Sequence, residues 1–289
     1  MIHVKKSYDT VPAGLTGSTA DTWREKLMRE GNAHTAENRV HAHASVKAAL
    51  GELYHNKCAY CESYIVAQAD RRVDHHRPKK ARIEEGDPHP GYFWLTYEWS
   101  NLVLACDTCN GKKSNKFPIA GIRVAAPPPS REDWHPRSAT MSDEQPLLLN
   151  PEVDNPADHL VFSPDGQISA KGDDQRGRVT IKVCELDREQ LTLARKEKVD
   201  KLRSRLNRQL LRFIENDSNW LVFQEIIEDI KASGQPESPF SLLGQHINGD
   251  PDEFLLAKLS TTFWGTVHTA LERFPAPAPA IPPPPLLTG

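Results

Sequence analysis

Four of the five cysteines form two Cys-x-x-Cys pairs, Cys58/Cys61 and Cys106/Cys109. Two thiolates with this spacing can converge on one tetrahedral ion, and the second pair completes a four-thiolate site that has no open position for water. We therefore predict a structural zinc (Zn) site. Disulfides or unrelated buried thiols are the alternative, which the lack of a signal-peptide pattern in residues 1–6 disfavours. Cys184 stands alone, and we expect it to be a small buried side chain.

An acid and a histidine, Asp74 and His75, end a predicted short strand between the two cysteine pairs, and a loop broken by proline follows. A carboxylate oxygen suits Mg²⁺ or Mn²⁺, and an imidazole can take a proton from water near neutral pH. His76 is the alternative base, but we favour His75 because the acid directly precedes it.

Two asparagines complete the pattern. Asn101 opens a second predicted strand, and Asn110 follows the last paired cysteine at a predicted helix start. Each has a structural alternative, since Asn101 is also typical of a helix cap and Asn110 before Gly111 is typical of a turn.

In this order, the four residues resemble the HNH (ββα-metal) endonuclease motif. The resemblance implies that Asp74 binds a catalytic Mg or Mn ion, His75 is the general base, Asn101 braces the loop and Asn110 is the second metal ligand. The last position of the motif is His in other members, and many members have Asn there, as this chain does. The implied fold class is α+β, with a ββα-metal core stapled by the four-cysteine zinc site and surrounded by N- and C-terminal helices.

A wider likeness covers about residues 45 to 200. The segments that carry it are Lys57–Glu62, Val73–Lys79, 89–102, Pro146–Pro151, Asp154–Pro156, Thr180–Ile181 and Glu185–Arg188. They are similar to the HNH nuclease subunit of Septu and retron-associated bacterial antiviral defence systems. This resemblance implies an ABC-type or SMC-like ATPase partner and a cytoplasmic protein.

Charge is distributed unevenly, although the net charge of the whole chain is only −3. Residues 71–82 carry six basic residues against the single acid Asp74, which is typical of a phosphate-binding collar beside a metal. We predict nucleic acid as substrate, with DNA favoured and RNA possible; a solvated loop is the alternative. The predicted phosphate contacts are Arg77, Lys79, Lys80, Lys112 and Lys113.

The predicted organisation has five parts: an N-terminal helical segment (1–56), the nuclease core (57–118), an irregular segment with a hairpin (119–186), a C-terminal helical region (187–274) and a disordered Pro-rich tail (275–289). The aromatic run Tyr92–Trp99 is predicted as a core-filling helix rather than a base-stacking platform. Between residues 188 and 212, nine basic residues oppose three acids, which fits a nucleic-acid contact, a solvated helix or a partner surface. Residues 215–274 are acidic, so we predict a protein partner there.

The predicted activity is metal-assisted phosphodiester hydrolysis. A non-catalytic zinc-dependent adaptor of an ATPase complex and a stand-alone restriction-type HNH nuclease are the competing functions. Mean hydropathy of −0.58 and the lack of a long apolar run argue against a membrane span.

Overall fold

The computed structural model describes residues 1–66, 70–80, 90–215, 219–257, 259 and 261–274. The chain divides into two compact units, residues 1–194 and 195–289. Expectations for the Pro-rich tail, for Arg82 in the basic collar and for the start of the 89–102 segment fall outside the described residues. The helices and strands are α1 (Gly17–Glu30), α2 (Asn38–His41), α3 (Ala44–Leu53), β1 (Arg72–His75), β2 (Leu102–Ala105), α4 (Asp107–Lys113), α5 (Ala139–Ser142), β3 (Leu160–Phe162), β4 (Ile168–Ala170), α6 (Gln175–Cys184), α7 (Glu189–Glu215), α8 (Gln224–Ala232), α9 (Ser241–Gly249) and α10 (Trp264–Arg273).

The nuclease core predicted from the motif is a ββα unit. Strands β1 and β2 pair antiparallel, with Arg72 opposite Ala105 and His75 opposite Leu102. All four residues of β2 are buried, so this strand anchors the unit in the core. Helix α4 starts directly after β2, and the Sγ of Cys106 accepts a hydrogen bond from the Cys109 amide as its N-cap. The α+β fold class is therefore confirmed, with helices before and after this unit.

The N-terminal helical segment contains the three helices α1, α2 and α3. Helix α1 ends at Glu30, and Gly31 follows it with a φ of 57°, in the left-handed region that glycine adopts without strain. The apolar residues Leu27, Val40, Val46 and Leu50 of these helices are buried, whereas Trp23 is half-buried.

The aromatic run 92–99 fills the core, but it is not a helix. It forms short 3₁₀ turns at Phe93–Leu95 and Trp99–Asn101. Gly91 immediately before it has a φ of 86° and packs against the backbone of Lys80, so the chain turns where a helix would begin. The Tyr97 hydroxyl is hydrogen-bonded to the His34 ring and accepts a hydrogen bond from the Glu37 amide. These bonds connect the aromatic run to the N-terminal helical segment.

The predicted hairpin is present as β3 and β4, with Leu160 opposite Ala170 and Phe162 opposite Ile168. Gly166 in its turn has a φ of 85°. No helix within the described ranges has the length and apolar character needed to cross a membrane.

The second unit has its own apolar core, made by one face of α7 and by α8, α9 and α10. Several cations of α7 are used inside this unit rather than forming an exposed basic face. Arg195 is buried, Arg203 donates to the Phe254 carbonyl, and Lys198 donates to the Ser233 and Pro239 carbonyls. Arg205 pairs with Glu225. These contacts favour a packing role for that part of the basic run.

Candidate active site

The four paired cysteines converge on one point. Their Sγ atoms all lie within 4.8 Å of one another, and the Cys61 and Cys106 sulfurs are 3.9 Å apart. A tetrahedral zinc ion with Zn–S bonds of about 2.3 Å places its sulfurs about 3.8 Å apart. The Ala59 amide donates to the Leu104 carbonyl, which docks the first cysteine turn on β2. The residues present therefore fit a closed four-thiolate zinc site.

Asp74 lies near the end of β1 and is buried between two donors. The Tyr60 hydroxyl donates to its Oδ2 at 2.7 Å, and the Lys113 Nζ lies 3.2 Å from the same oxygen. Lys113 also donates to the His75 carbonyl at 2.8 Å. The carboxylate is thus held in one orientation by a hydroxyl and by an ammonium from the end of α4.

His75 is buried with its two ring nitrogens in different surroundings. Its Nε2 lies 2.9 Å from the Thr96 carbonyl, which can only accept, so Nε2 carries the hydrogen. Nδ1 is then the basic nitrogen, and the Lys79 Nζ lies 3.3 Å from it. Burial, followed by the charge of Lys79, lowers the pKa of His75 well below its usual range. The imidazole is therefore neutral, the form that a base requires.

Asn101 holds the loop that follows β1. Its Oδ1 accepts from the Arg77 amide at 2.8 Å, and its Nδ2 donates to the Arg77 carbonyl at 2.9 Å. Nδ2 also reaches the Leu95 carbonyl at 3.3 Å. The side chain thus contacts backbone groups on both sides of the loop, which suits a brace rather than a group that touches substrate.

One cleft of about 310 Å³ brings Asp74, His75, Lys79 and Asn110 together. Asn110 reaches it from the middle of α4, and Asn115 and Pro78 add to its walls. Carboxylate and amide oxygens are the donor types that Mg²⁺ and Mn²⁺ prefer. The donor set therefore fits such an ion, while Lys113 occupies one side of Asp74.

His76 faces a different part of the unit. Its Nε2 lies 3.2 Å from the Leu149 carbonyl, and its ring packs edge-on against Phe117. It lines a separate cavity of about 380 Å³ with Asn150 and Arg176. The structure thus places His75, and not His76, in the cleft with Asp74.

The basic collar differs from the sequence expectation at two positions. Arg77 is only 3% exposed, and its guanidinium donates to Glu144 and to the Met141 carbonyl. Lys113 is 0% exposed against Asp74. A charge can be buried only when it is paired with an acceptor. Both cations have such acceptors inside the unit, so both can face the interior. Lys80 is exposed, and Lys79 lies at the cleft.

Lys112 is the fifth predicted phosphate contact. It projects from α4 and pairs with Glu185 at 2.8 Å. Its charge is therefore already partly balanced in this structure.

Residues 58–116 match the family model of the HNH endonuclease. This segment is an HNH domain. The match includes both cysteine pairs, Asp74, His75, Asn101 and Asn110, and it begins and ends close to the predicted core.

The curated relatives are Septu proteins. The chain is 36% identical over 200 residues to Septu protein PtuB of Bacillus mycoides (strain KBAB4), which covers 66% of this chain and 65% of that protein. It is 24% identical to Septu protein PtuB of Bacillus thuringiensis, over 94% of this chain and 92% of that protein. A third match, 29% identical to Septu protein PtuA of Bacillus mycoides (strain KBAB4), covers 47% of this chain and 18% of that protein.

Two residues outside the HNH domain lie against His75 and the cysteine cluster, and neither of them was assigned to the site from the sequence. His41 at the end of α2 has its ring centroid 5.1 Å from that of His75. Arg188 donates to the Cys109 sulfur. The sequence offered one signal for Arg188, because the segment Glu185–Arg188 resembles the defence nucleases. No local pattern distinguishes His41 from the neighbouring histidines.

Proposed function

We propose that the chain is a metal-dependent endonuclease that hydrolyses phosphodiester bonds of nucleic acid, with DNA favoured. We also propose that it is the effector subunit of a bacterial anti-phage complex with an ABC-type or SMC-like ATPase. The observation that carries the activity is the cleft in which Asp74, His75 and Asn110 of the HNH domain meet. The zinc ion would have a structural role only.

In the proposed reaction, the Nδ1 of His75 accepts the proton of the attacking water, while the Thr96 carbonyl holds the opposite nitrogen and fixes the ring. Asp74 and Asn110 would hold the Mg²⁺ or Mn²⁺ ion, which supplies charge stabilisation at the phosphate and the leaving oxygen. When substrate enters, the Lys79 ammonium moves away from the Nδ1 of His75 and contacts the phosphate instead. Tyr60 and Lys113 keep the Asp74 carboxylate oriented throughout.

The names of the relatives support the defence setting. The PtuA match supports an assembly, because a segment similar to part of this chain lies within a much longer protein of the same system. The acidic segment 215–274 is the surface we assign to the partner, since its charge opposes a phosphate backbone. The type of ATPase follows from the resemblance to defence nucleases.

One observation favours a second candidate, a non-catalytic zinc-dependent adaptor. The ammonium of Lys113 lies against the Asp74 carboxylate, where it balances the charge that a catalytic ion would otherwise balance. If that ammonium permanently excludes a divalent ion, the cleft binds nucleic acid without cutting it.

The deciding experiment uses purified full-length protein, with and without a co-purifying ATPase, on plasmid and on tRNA with Mg²⁺ or Mn²⁺. We expect cleavage by the wild type and by His268→Ala, whose imidazole is exposed in the second unit. We expect none by His75→Ala. Binding without cleavage in every combination would instead establish the adaptor.

A further inference from the structure

The guanidinium of Arg188 lies between a helix end and a zinc ligand. Its Nη2 donates to the Cys109 Sγ at 3.5 Å. Its Nη1 donates to the carbonyls of Cys184 at 3.2 Å and Glu185 at 2.9 Å. These carbonyls belong to the last turn of α6, which ends where Glu185 adopts a left-handed conformation.

The acceptors around Arg188 all carry negative charge or partial negative charge. Four thiolates on one Zn²⁺ leave a net charge of −2, and the C-terminal end of a helix carries about half a negative charge. The two carbonyls fix the guanidinium plane, so one N–H is directed at the sulfur. An ammonium has no such fork of fixed donors, which makes lysine an incomplete substitute.

Neighbouring cations are balanced by carboxylates. Lys112 pairs with Glu185, and Arg72 pairs with Asp107, the first residue of α4. Arg188, in contrast, is hydrogen-bonded to two backbone carbonyls and to the Cys109 sulfur.

We propose that Arg188 is a positioning residue for the zinc staple. Its N–H···S hydrogen bond withdraws charge from the Cys109 thiolate, slows release of the metal and joins the end of α6 to α4 of the HNH domain. This gives a physical role to the segment Glu185–Arg188, in which Leu186 is buried and Glu185 supplies the turn. The inference concerns metal retention and does not depend on the proposed endonuclease activity.

The first test is zinc release from full-length protein to an excess of chelator, followed with a metal-sensitive dye. Arg188→Met should release zinc about 10-fold to 100-fold faster than the wild type, as loss of an outer partner of a metal ligand typically does. Arg188→Lys should fall between the two. Arg178→Met is the matched control, because its guanidinium is 53% exposed on α6 and is bonded to Asp173.

The second test separates the hydrogen bond from simple packing. In the cobalt-substituted protein, the thiolate-to-cobalt charge-transfer band should move to lower energy in Arg188→Met, because a sulfur without its N–H donor is more easily oxidised. Faster release with an unchanged band would contradict the hydrogen bond. Wild-type release and an unshifted band in Arg188→Met, or in Arg188→Lys if the Met variant is insoluble, would overturn the proposal.

Discussion

The imidazole rings of His41 and His75 are tilted by 53° to each other with their centroids 5.1 Å apart, although His41 precedes the HNH domain in the chain. His41 is fixed by the Glu37 carbonyl, 3.0 Å from its Nδ1. Helix α2 therefore forms part of the surroundings of the proposed base. Both rings are buried beside the cation Lys79, which favours their neutral forms.

His41 should make stability depend on pH. Burial lowers its pKa to about 4, whereas in the unfolded chain a histidine titrates near 6.5. As the pH falls below about 6.5, the unfolded state gains a proton that the folded state takes up only near pH 4, so stability is lost across this window and is fully present above it. In His41→Gln, the difference in the free energy of unfolding between pH 7 and pH 5 should be smaller than in the wild type by up to about 2 kcal/mol. Urea unfolding at both pH values measures it.

The control for this experiment is Arg178→Gln, because this guanidinium is 53% exposed on α6 and an arginine keeps its charge throughout this pH range. It should keep the wild-type pH dependence. If His41→Gln keeps it as well, the ring is not held neutral in the folded protein.

His75→Ala should lower cleavage by roughly 10²-fold to 10⁴-fold, because a positioned base contributes that much. Zinc content should stay at the wild-type level. His76→Ala should lower cleavage far less, and its main effect should be on the free energy of unfolding, because its ring packs against Phe117. Cleavage rates per zinc-loaded molecule compare the two, and the reverse order would transfer the role of base to His76.

Serine at Cys58 or Cys109 should give insoluble or metal-free protein. Zinc binding is worth about 10–16 kcal/mol in small zinc modules, which exceeds the stability of most domains. Cys184→Ala is the matched control: this thiol is also buried but is not part of the four-sulfur cluster, so zinc should remain. Elemental analysis of the soluble fractions measures the outcome. Active wild-type protein without zinc would refute the shared site.

Neutralising Lys79 and Lys80 together should weaken binding of duplex DNA and reduce its salt dependence by about 1.8 in the log–log slope, the effect of two lost phosphate contacts. Lys196→Gln with Lys201→Gln is the control, since these exposed lysines pair with Asp200 and Glu197 on α7. Arg77 should be left unchanged, because its removal would leave the buried carboxylate of Glu144 without its charged partner. An unchanged slope would remove Lys79 and Lys80 from the phosphate-binding surface.

Removing the second unit should abolish association with the ATPase and spare the zinc site, whose ligands all lie in the first unit. A cut at residue 215 would expose the apolar residues Val199, Leu206 and Leu210, which are buried inside the second unit. Ending the chain after Ala194 follows the boundary between the units. A pull-down with zinc analysis checks both expectations. Retained ATPase binding would place the partner surface in the first unit, and lost zinc would make the second unit part of the nuclease core.

The sequence predicts those features of the fold and the site that depend on residues close together in the chain. The cysteine turns, the strand that ends in Asp74-His75 and the hairpin at Gly166 each follow from residues that are neighbours in the chain. The directions of Arg77 and Lys113 could not be predicted in this way, because composition counts charges and does not say which acceptor lies nearby after folding. Arg77 meets Glu144 only through tertiary packing, and the same holds for His41 beside His75.

The contacts of Asn101 have a consequence for which residue can occupy that position. Its backbone carbonyl accepts from the His76 amide at 2.9 Å, one step beyond the last pair of the β1–β2 ladder. Its side-chain amide then offers Arg77 one acceptor and one donor, as a peptide group of a facing strand would. The side chain therefore adds one further pair of hydrogen bonds to the end of the β1–β2 ladder, which has four residue pairs. Aspartate has the same shape, but it would place a second oxygen against the carbonyls of Arg77 and Leu95, and the hydrogen bonds that Nδ2 donates to them would be lost.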